Sequence, residues 1–420
     1  MDVAMPAWLL AIGYSTEAVA SFNAIAGLPW SLKAFVGPVL DTWTCRRFGY
    51  RRPYIILAQV LLVVSLFAMG VTVGVPIDLR LLTACGFFVL SSSAVQDVAT
   101  DGLAIDVLRE DEQGQANALM ATSKTLGGSL MGAIAGNLLP VTGLTVVTTI
   151  VALLVLPVLV NIILTLERPG ERRLPESHCM PETGPTGTSV AIVASNLEPT
   201  FCEKALSLIR GLLLSASSLL VLSTAIFSEL ASGIVSIMYP KLSLTLGISS
   251  AAYASIVSTS QVITAALGIG CGVIVDKLGA DKVYLGGVML GVACKYAIVI
   301  FVGREQVTRT NFVVVLFSEL VAGQIRSVSY LAFCMRLCST SLAAATQYCV
   351  MMACSNLASS VGIALVATGI LKATGDWLWL AALLMTGGTL CAALLTSVET
   401  KPRVSSSCTT EDKQGEVALL

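Results

Sequence analysis

The chain has 420 residues, of which 55% are hydrophobic and 12% carry a charge, half the ~25% charged content that is usual in soluble proteins. Its 25 lysines and arginines nearly balance its 26 aspartates and glutamates, so there is no basic excess for binding nucleic acid. The single histidine, His178, excludes a multi-histidine metal site and a Ser-His-Asp hydrolase centred elsewhere. We therefore expect a multi-spanning membrane protein without a metal ion or a cofactor.

Apolar segments long enough to span a bilayer, which takes about 20 residues, recur along the whole chain. Residues 1–13 are also apolar but too short to cross, and two interpretations stand: a first span whose beginning is absent, or an eleven-span protein with an interfacial stub at its start. The repeat described below favours a truncated first span. The eleven candidate spans are 17–40, 53–75, 81–106, 115–139, 142–165, 212–239, 250–275, 283–303, 311–336, 341–371 and 375–397.

A polar stretch rich in Pro, Glu and Gly starts at Glu167 and divides the chain into two halves. We expect an N-terminal helical bundle (1–166), a linker (167–206), a C-terminal helical bundle (207–398) and a tail (399–420). Arginine and lysine collect in one of the two alternating sets of short loops, and by the positive-inside rule these loops, the linker and the tail lie in the cytoplasm. Twelve cysteines and a cytoplasmic linker favour an endomembrane, such as the endoplasmic reticulum, with the plasma membrane as the alternative.

One motif occurs twice, each time two spans into its half: Gly-x-x-x-Asp at the end of a helix, then a glycine and basic residues in the turn that follows. Glycine allows helices to approach closely and the chain to reverse, and the carboxylate can accept hydrogen bonds from a neighbouring helix N-terminus. Two copies indicate a duplicated six-helix unit with a cytoplasmic gating motif in each half. The first copy consists of Gly37, Asp41, Arg46, Arg47 and Gly49, and the second of Gly272, Asp276, Lys277, Gly279 and Lys282.

The paired motif resembles the cytoplasmic loop signature of the major facilitator superfamily, although the first copy has extra residues between Asp41 and Gly49. The segment FGYRRPY is similar to the folate–biopterin transporters, a related branch. The resemblance implies two pseudo-symmetric six-helix bundles that rock around a central cavity, and a small organic solute as the binding partner. The segments that resemble the AmpG-type muropeptide permease and acetyl-coenzyme A transporter group are LPWSLK (28–33), GPVLD (37–41), QDVATDG (96–102) and GQAN (114–117).

Charged side chains inside the predicted spans of the first half are costly, at ~3 kcal/mol each at mid-bilayer, so each needs a partner or a cavity. Helix depths at ~1.5 Å per residue place Lys33, Asp101 and Lys124 in one layer near the cytoplasmic side. We expect Asp101 to pair with Lys33 or Lys124 when the cytoplasmic side is closed. Asp97 lies one turn deeper on the same face, and we expect it to meet substrate or a proton. The alternative is that all four only hold the helices together.

In the second half, Glu319 and Arg326 are seven residues apart and share a helix face, and Glu229 lies near the middle of its span. A buried carboxylate can carry a proton, and Arg326 is suited to an anionic group such as a phosphate or carboxylate; the alternative is a structural Glu–Arg pair. Lys295 lies on an outer helix, and we expect only packing or snorkelling from it. A glycine at every fourth residue from 128 to 136 indicates close helix packing.

The leading hypothesis is a secondary active transporter that moves an organic, anionic solute by alternating access, with proton coupling as an option and acetyl-coenzyme A or a muropeptide as the substrate. No Walker motif is present, so ATP does not drive it directly. The alternatives are a non-transporting or truncated membrane protein of the same fold, acting as a sensor or scaffold, and a folate or pterin transporter. An aspartyl protease is disfavoured because Asp97 and Asp101 share one helix, and we expect a monomer without enzymatic activity.

Overall fold

A computed structural model describes residues 3–42, 49, 51–74, 76–107, 110–167, 215–338 and 344–399. The regular elements of these ranges are helices, with a short 3-10 helix (Lys33–Phe35) between α2 and α3. The predicted linker after residue 167 and the tail after residue 399 lie outside the described residues. The α-helices are α1 (Ala4–Ala11), α2 (Thr16–Leu32), α3 (Val36–Thr42), α4 (Arg52–Thr72), α5 (Leu79–Val107), α6 (Glu110–Leu164), α7 (Ala216–Thr245), α8 (Ser250–Leu278), α9 (Ala280–Gly303), α10 (Arg309–Cys338), α11 (Ala344–Ala367) and α12 (Thr374–Glu399).

Nine helices within the described ranges are long and apolar enough to cross a membrane. One of them, α6, has 55 residues, or ~80 Å of helix, which far exceeds the ~30 Å hydrocarbon core of a bilayer. Gly143 interrupts α6 with a φ of 77° and a ψ of 178°, so this helix contains two spans. The predicted span 17–40 is divided between α2, the 3-10 helix and α3. Each of the predicted spans therefore coincides with helix, and the all-α membrane fold is confirmed.

The two halves of α6 form a hairpin at Gly143. The second half of α6 then runs antiparallel to α4. Just after the interruption, Thr145 Oγ1 donates a hydrogen bond to the carbonyl oxygen of Gly70 near the end of α4, at 2.7 Å. At the other end of the same pair, Arg52 Nε at the start of α4 donates to the carbonyl oxygen of Ile162, at 3.0 Å. The reversal at Gly143 thus returns the chain across the bundle.

Helix packing follows the same pattern in both halves. In the first half, α5 packs on α2 and on α4, and α4 packs on α6; in the second half, α10 packs on α8 and on α9, and α9 packs on α12. The halves meet where α2 packs on α11 and where α6 packs on α8. When each helix is replaced by its counterpart in the other half, the first of these contacts becomes the second. The short α1 packs on α6, α7 and α8. The packing has the pseudo-symmetry that a duplicated six-helix unit predicts.

A second repeated feature connects α1 to α2 and α7 to α8. Gly13 and Gly247 both have positive φ, at 101° and 70°, and end the preceding helix in the left-handed conformation that favours glycine. Two residues later, the side chains of Ser15 and Ser249 accept hydrogen bonds from the backbone of the next helix and cap its N-terminus. Equivalent chain reversals in the two halves give the internal repeat a geometric basis beyond the Gly-x-x-x-Asp motif.

Candidate functional site

The two motif copies begin in the last turns of α3 and α8, at one end of the bundle, which we call the motif end. Gly49 and Gly279 both have positive φ, at 115° and 94°. The predicted chain reversal is confirmed at Gly279, between α8 and α9, whereas the turn around Gly49 lies outside the described residues. The predicted close helix approach is wrong at Gly37 and Gly272, because a Cβ added to either would meet no atom within 4 Å.

The charged residues of the second motif copy do not form the predicted helix cap. Asp276, Lys277 and Lys282 are exposed, and Asp276 makes no hydrogen bond with any residue of the described ranges. The buried carboxylate is instead Asp281, 6% exposed, in the first turn of α9, where the helix dipole favours a negative charge. Of the first copy, the Asp41 side chain and the residues Arg46 and Arg47 lie outside the part that the structure describes. The gating role of both copies stays a prediction.

Two lysines converge on one carboxylate in the N-terminal half. Lys33 Nζ lies 3.3 Å from Asp97 Oδ2, and Lys124 Nζ lies 3.1 Å from Asp97 Oδ1. The exposed fractions of the side chains are 10% for Lys33 and 19% for Asp97, but 64% for Lys124. Lys33 begins the 3-10 helix that directly follows α2, whose last turn contains Pro29. The site therefore contains a buried ion pair and a second, accessible cation.

The ion pair differs from the one expected from helix depths, since Asp97 and not Asp101 contacts the lysines. Asp101 is partly buried and makes neither a hydrogen bond nor an ion pair with a described side chain. The predicted pairing of Asp101, which applies to a closed cytoplasmic side, is not made within the described residues and stays a prediction. Depth counts locate Cα atoms, whereas a lysine ammonium lies at the end of a flexible stem longer than the rise of one turn.

Trp30 completes this cluster and was not singled out from the sequence. The ammonium groups of Lys33 and Lys124 lie 5.6 and 4.7 Å from the centre of its ring, within cation–π range. Its carbonyl oxygen accepts a hydrogen bond from Asn356 Nδ2 on α11, at 3.2 Å, so the cluster adjoins the contact between the halves. The sequence feature that could have identified Trp30 is its spacing of three residues from Lys33, which places both residues on one helix face.

The buried charges of the C-terminal half also form one cluster. Lys295 Nζ lies 2.5 Å from Glu319 Oε1, and Arg326 Nη2 lies 3.7 Å from the same oxygen. Only 1% of the Lys295 side chain is exposed, so it packs inside the protein and does not snorkel. Although α9 is an outer helix, this residue points into the bundle, where Glu319 compensates its charge. The expected Glu–Arg pair exists only as the longer of two contacts.

Arg326 lies against two glycines of α9. A Cβ at Gly291 would lie 2.6 Å from Arg326 Nη1, and a Cβ at Gly287 would lie 3.1 Å from Arg326 Cγ. On its other side, Arg326 Nη2 donates to Ser232 Oγ on α7, at 3.4 Å. Glycine on α9 thus creates the space that a guanidinium needs between three helices.

The contact between the first half of α6 and α8 is closest away from the motif end. A Cβ at Gly136 would overlap that of Ala254, and one at Gly132 would lie 3.0 Å from Ser258 Oγ, whereas one at Gly128 would meet nothing within 4 Å. The predicted close packing is therefore confirmed at two of the three glycines. Gly128 is the glycine of the three nearest to Lys124 in the chain, and the side chain of Lys124 is mostly exposed.

Comparison with known proteins gives one family and several partial relatives. The model described as the BT1 family matches residues 9–395. The anhydromuropeptide permease of Escherichia coli is 28% identical over 131 residues, which cover 31% of this chain and 26% of the permease. A Rickettsia felis protein designated AmpG 4 is 32% identical over 142 residues, 32% of this chain and 33% of that protein. An uncharacterised protein of Schizosaccharomyces pombe is 28% identical over 121 residues, 28% of this chain and 22% of that protein.

These alignments confirm the resemblance to the AmpG-type group that the N-terminal motifs indicate. They cover a third or less of the length of each relative.

Proposed function

Because this chain belongs to the BT1 family, we propose that it is a secondary transporter that carries an organic anion across a membrane by alternating access. One relative of part of the chain is named an anhydromuropeptide permease, and we propose a muropeptide-like or acetyl-coenzyme A-like solute as the cargo. An ion gradient, with the proton as the ion, supplies the energy. The protein acts as a monomer in the bilayer and catalyses no covalent reaction.

The observation that carries this proposal is the pair of lysines that converge on Asp97. Lys33 and Lys124 both contact this one carboxylate, and Asp101, one turn along α5, is near both lysines but contacts neither of them within the described residues. Lys124 is the accessible member of the pair, and an anionic oxygen of a solute can take the place of Asp97 as its partner. The Trp30 ring beside both ammonium groups offers a flat apolar surface for the body of the solute.

The position of the cluster supports alternating access. It adjoins the contact of α2 with α11, so a movement of one half against the other would change the surroundings of the bound solute. The splayed contact between α6 and α8 leaves Lys124 accessible from the motif end. We propose that this end faces the cytoplasm, in agreement with the basic loops, and that the membrane is an endomembrane or the plasma membrane.

The test is uptake by proteoliposomes of three labelled probes: an anhydromuropeptide, acetyl-coenzyme A and a pterin. We expect uptake of one of them above that of protein-free vesicles. Since a hydrogen bond to a charged group contributes about 1.5–3 kcal/mol, Lys124→Gln should raise the KM for that probe roughly tenfold or more. Lys124→Arg should preserve most of the affinity because it keeps the charge.

The matched control is Arg304→Gln, which removes an exposed cation far from the cluster and should leave the KM unchanged. Uptake of no probe, together with binding of none, would favour a sensor or scaffold of the same fold. Uptake with a KM that is the same in Lys124→Gln and the parent would keep the transporter but remove this cluster as the solute site.

A further inference from the structure

We propose that the C-terminal bundle contains a hydrated proton site, separate from the Lys33–Asp97–Lys124 cluster, in which Glu229 binds and releases the proton and Arg326 is its alternative partner. The inference rests on the proposed transport function for its coupling role. Its structural basis is a column of polar groups between α7, α9 and α10.

Several buried polar atoms of this column have no hydrogen-bond partner among the described residues. Buried donors and acceptors in proteins are rarely left unsatisfied, since each such atom costs about 1–3 kcal/mol. Several in one column indicate ordered water molecules between them. The atoms are Tyr239 OH on α7, and Glu319 Oε2, Arg326 Nε and Arg326 Nη1 on α10.

Glu229 lies on α7, near the middle of the helix, 13 residues or ~20 Å from its start. The rest of the protein covers Glu229 only in part at this depth. Its carboxyl group makes no hydrogen bond or ion pair within the described ranges. An ionised carboxylate without a partner is strongly disfavoured inside a bundle, so in this arrangement Glu229 is protonated.

Arg326 supplies the second state of the site. Its Nε and Nη1 have no hydrogen-bond partner among the described residues, and its contacts through Nη2 are long, 3.4 Å to Ser232 and 3.7 Å to Glu319. Ser232 is three residues after Glu229 and therefore lies on the same face of α7. A deprotonated Glu229 can accept hydrogen bonds from the free N–H groups of Arg326, directly or through one water.

Because Lys295 pairs with Glu319, Arg326 is available as a partner for Glu229. Glu319 Oε1 lies 2.5 Å from Lys295 Nζ, so Glu319 pairs with Lys295. Among the described residues, the guanidinium of Arg326 is then the cation of this cluster that has no close carboxylate. Within the described ranges, α11 and α12 contribute no charge that acts on Glu229. The titratable groups that face the column are Tyr239 on α7, Tyr253 on α8, Tyr284, Cys294 and Lys295 on α9, and Glu319 and Arg326 on α10.

The proton step follows from these two states. The Glu229 carboxyl group releases its proton to water in the column, and the resulting carboxylate pairs with Arg326. In the reverse step the carboxylate takes a proton from water and leaves Arg326. Because α7 and α10 each carry one partner, forming and breaking this pair draws the two helices together and releases them, which links the proton to the helix arrangement of this half.

The first test is infrared spectroscopy of the purified protein, which needs no transported solute. A protonated carboxyl group gives a carbonyl stretching band that disappears as the pH is raised and the group ionises. We expect such a band in the parent protein, its loss in Glu229→Gln, and its retention in Glu305→Gln, which removes an exposed carboxylate instead. A band that survives unchanged in Glu229→Gln would overturn the assignment. Should that variant fail to fold, Glu229→Asp must shift the band in frequency.

The second test separates exchange from accumulation in proteoliposomes. Glu229→Gln should still exchange solute across the membrane without a pH gradient, but should lose gradient-driven accumulation, so that the internal-to-external ratio falls to about one. Accumulation equal to that of the parent would contradict the proton role while leaving the transporter intact. Absence of exchange in the parent protein would instead contradict the proposed function, and the infrared result would still decide the state of Glu229.

Discussion

Arg52 illustrates how a charged side chain is held inside this protein. Only 1% of the residue is exposed, and its guanidinium donates to the carbonyl oxygens of Ile162 and Ile163 in the last turn of α6. In the opposite direction, Glu167 Oε2 accepts from the backbone N–H groups of Arg51 and Arg52, at 3.0 and 3.1 Å. A cation at a helix C-terminus and an anion at a helix N-terminus both complement the helix dipole.

We predict that Arg52→Met lowers the free energy of unfolding by about 3 kcal/mol, because the carbonyl groups at the end of α6 lose charged donors. The stability of Arg52→Lys should lie between that of the parent and that of Arg52→Met, since one ammonium group cannot reproduce the two-pronged hydrogen bonding of a guanidinium. The measurement is the thermal unfolding of the purified protein in detergent. Arg80→Gln, at an exposed arginine, is the control; equal midpoints for Arg52→Met and this control would show that Arg52 does not hold the two helices together.

At the scale of helices, α7 and α11 cross at two reciprocal glycines. A Cβ at Gly233 would overlap the backbone oxygen of Ser359, and a Cβ at Gly362 would overlap that of Leu230. Backbone cannot move aside as the end of a flexible side chain can, so these helices must separate to admit a methyl group. Small residues at helix contacts are the usual means of close approach in membranes, where no hydrophobic effect draws helices together.

We predict that Gly233→Ala destabilises the protein by about 1–3 kcal/mol, the usual range for overpacking a well-packed contact. Gly286→Ala on α9 is a matched control, because a Cβ there would meet nothing within 4 Å and alanine favours helix over glycine. Thermal unfolding in detergent compares the two variants. A Gly233→Ala protein that is as stable as Gly286→Ala would mean that the helices are less close than this geometry requires.

At the scale of the whole molecule, the two halves meet tightly on one side of the Lys33–Asp97–Lys124 cluster and diverge on the other. The tight part of the α6–α8 contact includes Gly136 against Ala254 and a hydrogen bond from Asn137 Nδ2 to Ser255 Oγ, at 2.9 Å. The glycine stripe begins at Gly128, where no atom is near enough to touch a Cβ. A carrier that alternates its access needs such a contact to open and close without distortion.

Gly136→Ala should therefore reduce solute transport by roughly tenfold while the protein still folds, since a strain of one to two kcal/mol at this contact changes an equilibrium by about that factor. The double variant Gly136→Ala with Ala254→Gly should recover transport, because it removes the Cβ that the new methyl group would overlap. Gly128→Ala should transport like the parent. Proteoliposome uptake compares the three, and a double variant no better than Gly136→Ala would reject the contact as the cause.

Much of the architecture was predictable because it follows from local physical constraints. A bilayer requires about 20 apolar residues for each crossing, and the eleven spans follow from that length alone. The duplicated motif indicated the pseudo-symmetry, and Gly128, Gly132 and Gly136 indicated a close helix contact. The charged residues inside the spans were identified in advance as well, because an ionisable group is conspicuous in an apolar segment.

The partners of those charges were not predictable. Depth along a helix is known from the sequence to within about one turn, and one turn separates Asp97 from Asp101. The direction in which Lys295 points depends on the rotation of α9 about its own axis. Trp30 became part of the charged cluster only because the 3-10 helix after α2 brings Lys33 over its ring.

Hydrophobic length and helix periodicity act within single segments, so the amino-acid sequence was enough to predict a membrane protein, the positions of its apolar spans and the position of its repeat. Tertiary structure alone decided which ions pair, which glycines touch, and which buried donors remain unsatisfied, since these depend on the rotation and tilt of helices far apart in the chain. Electrostatic and steric interactions depend on shifts of a few ångströms between helices, and a hydropathy pattern contains no information about such shifts.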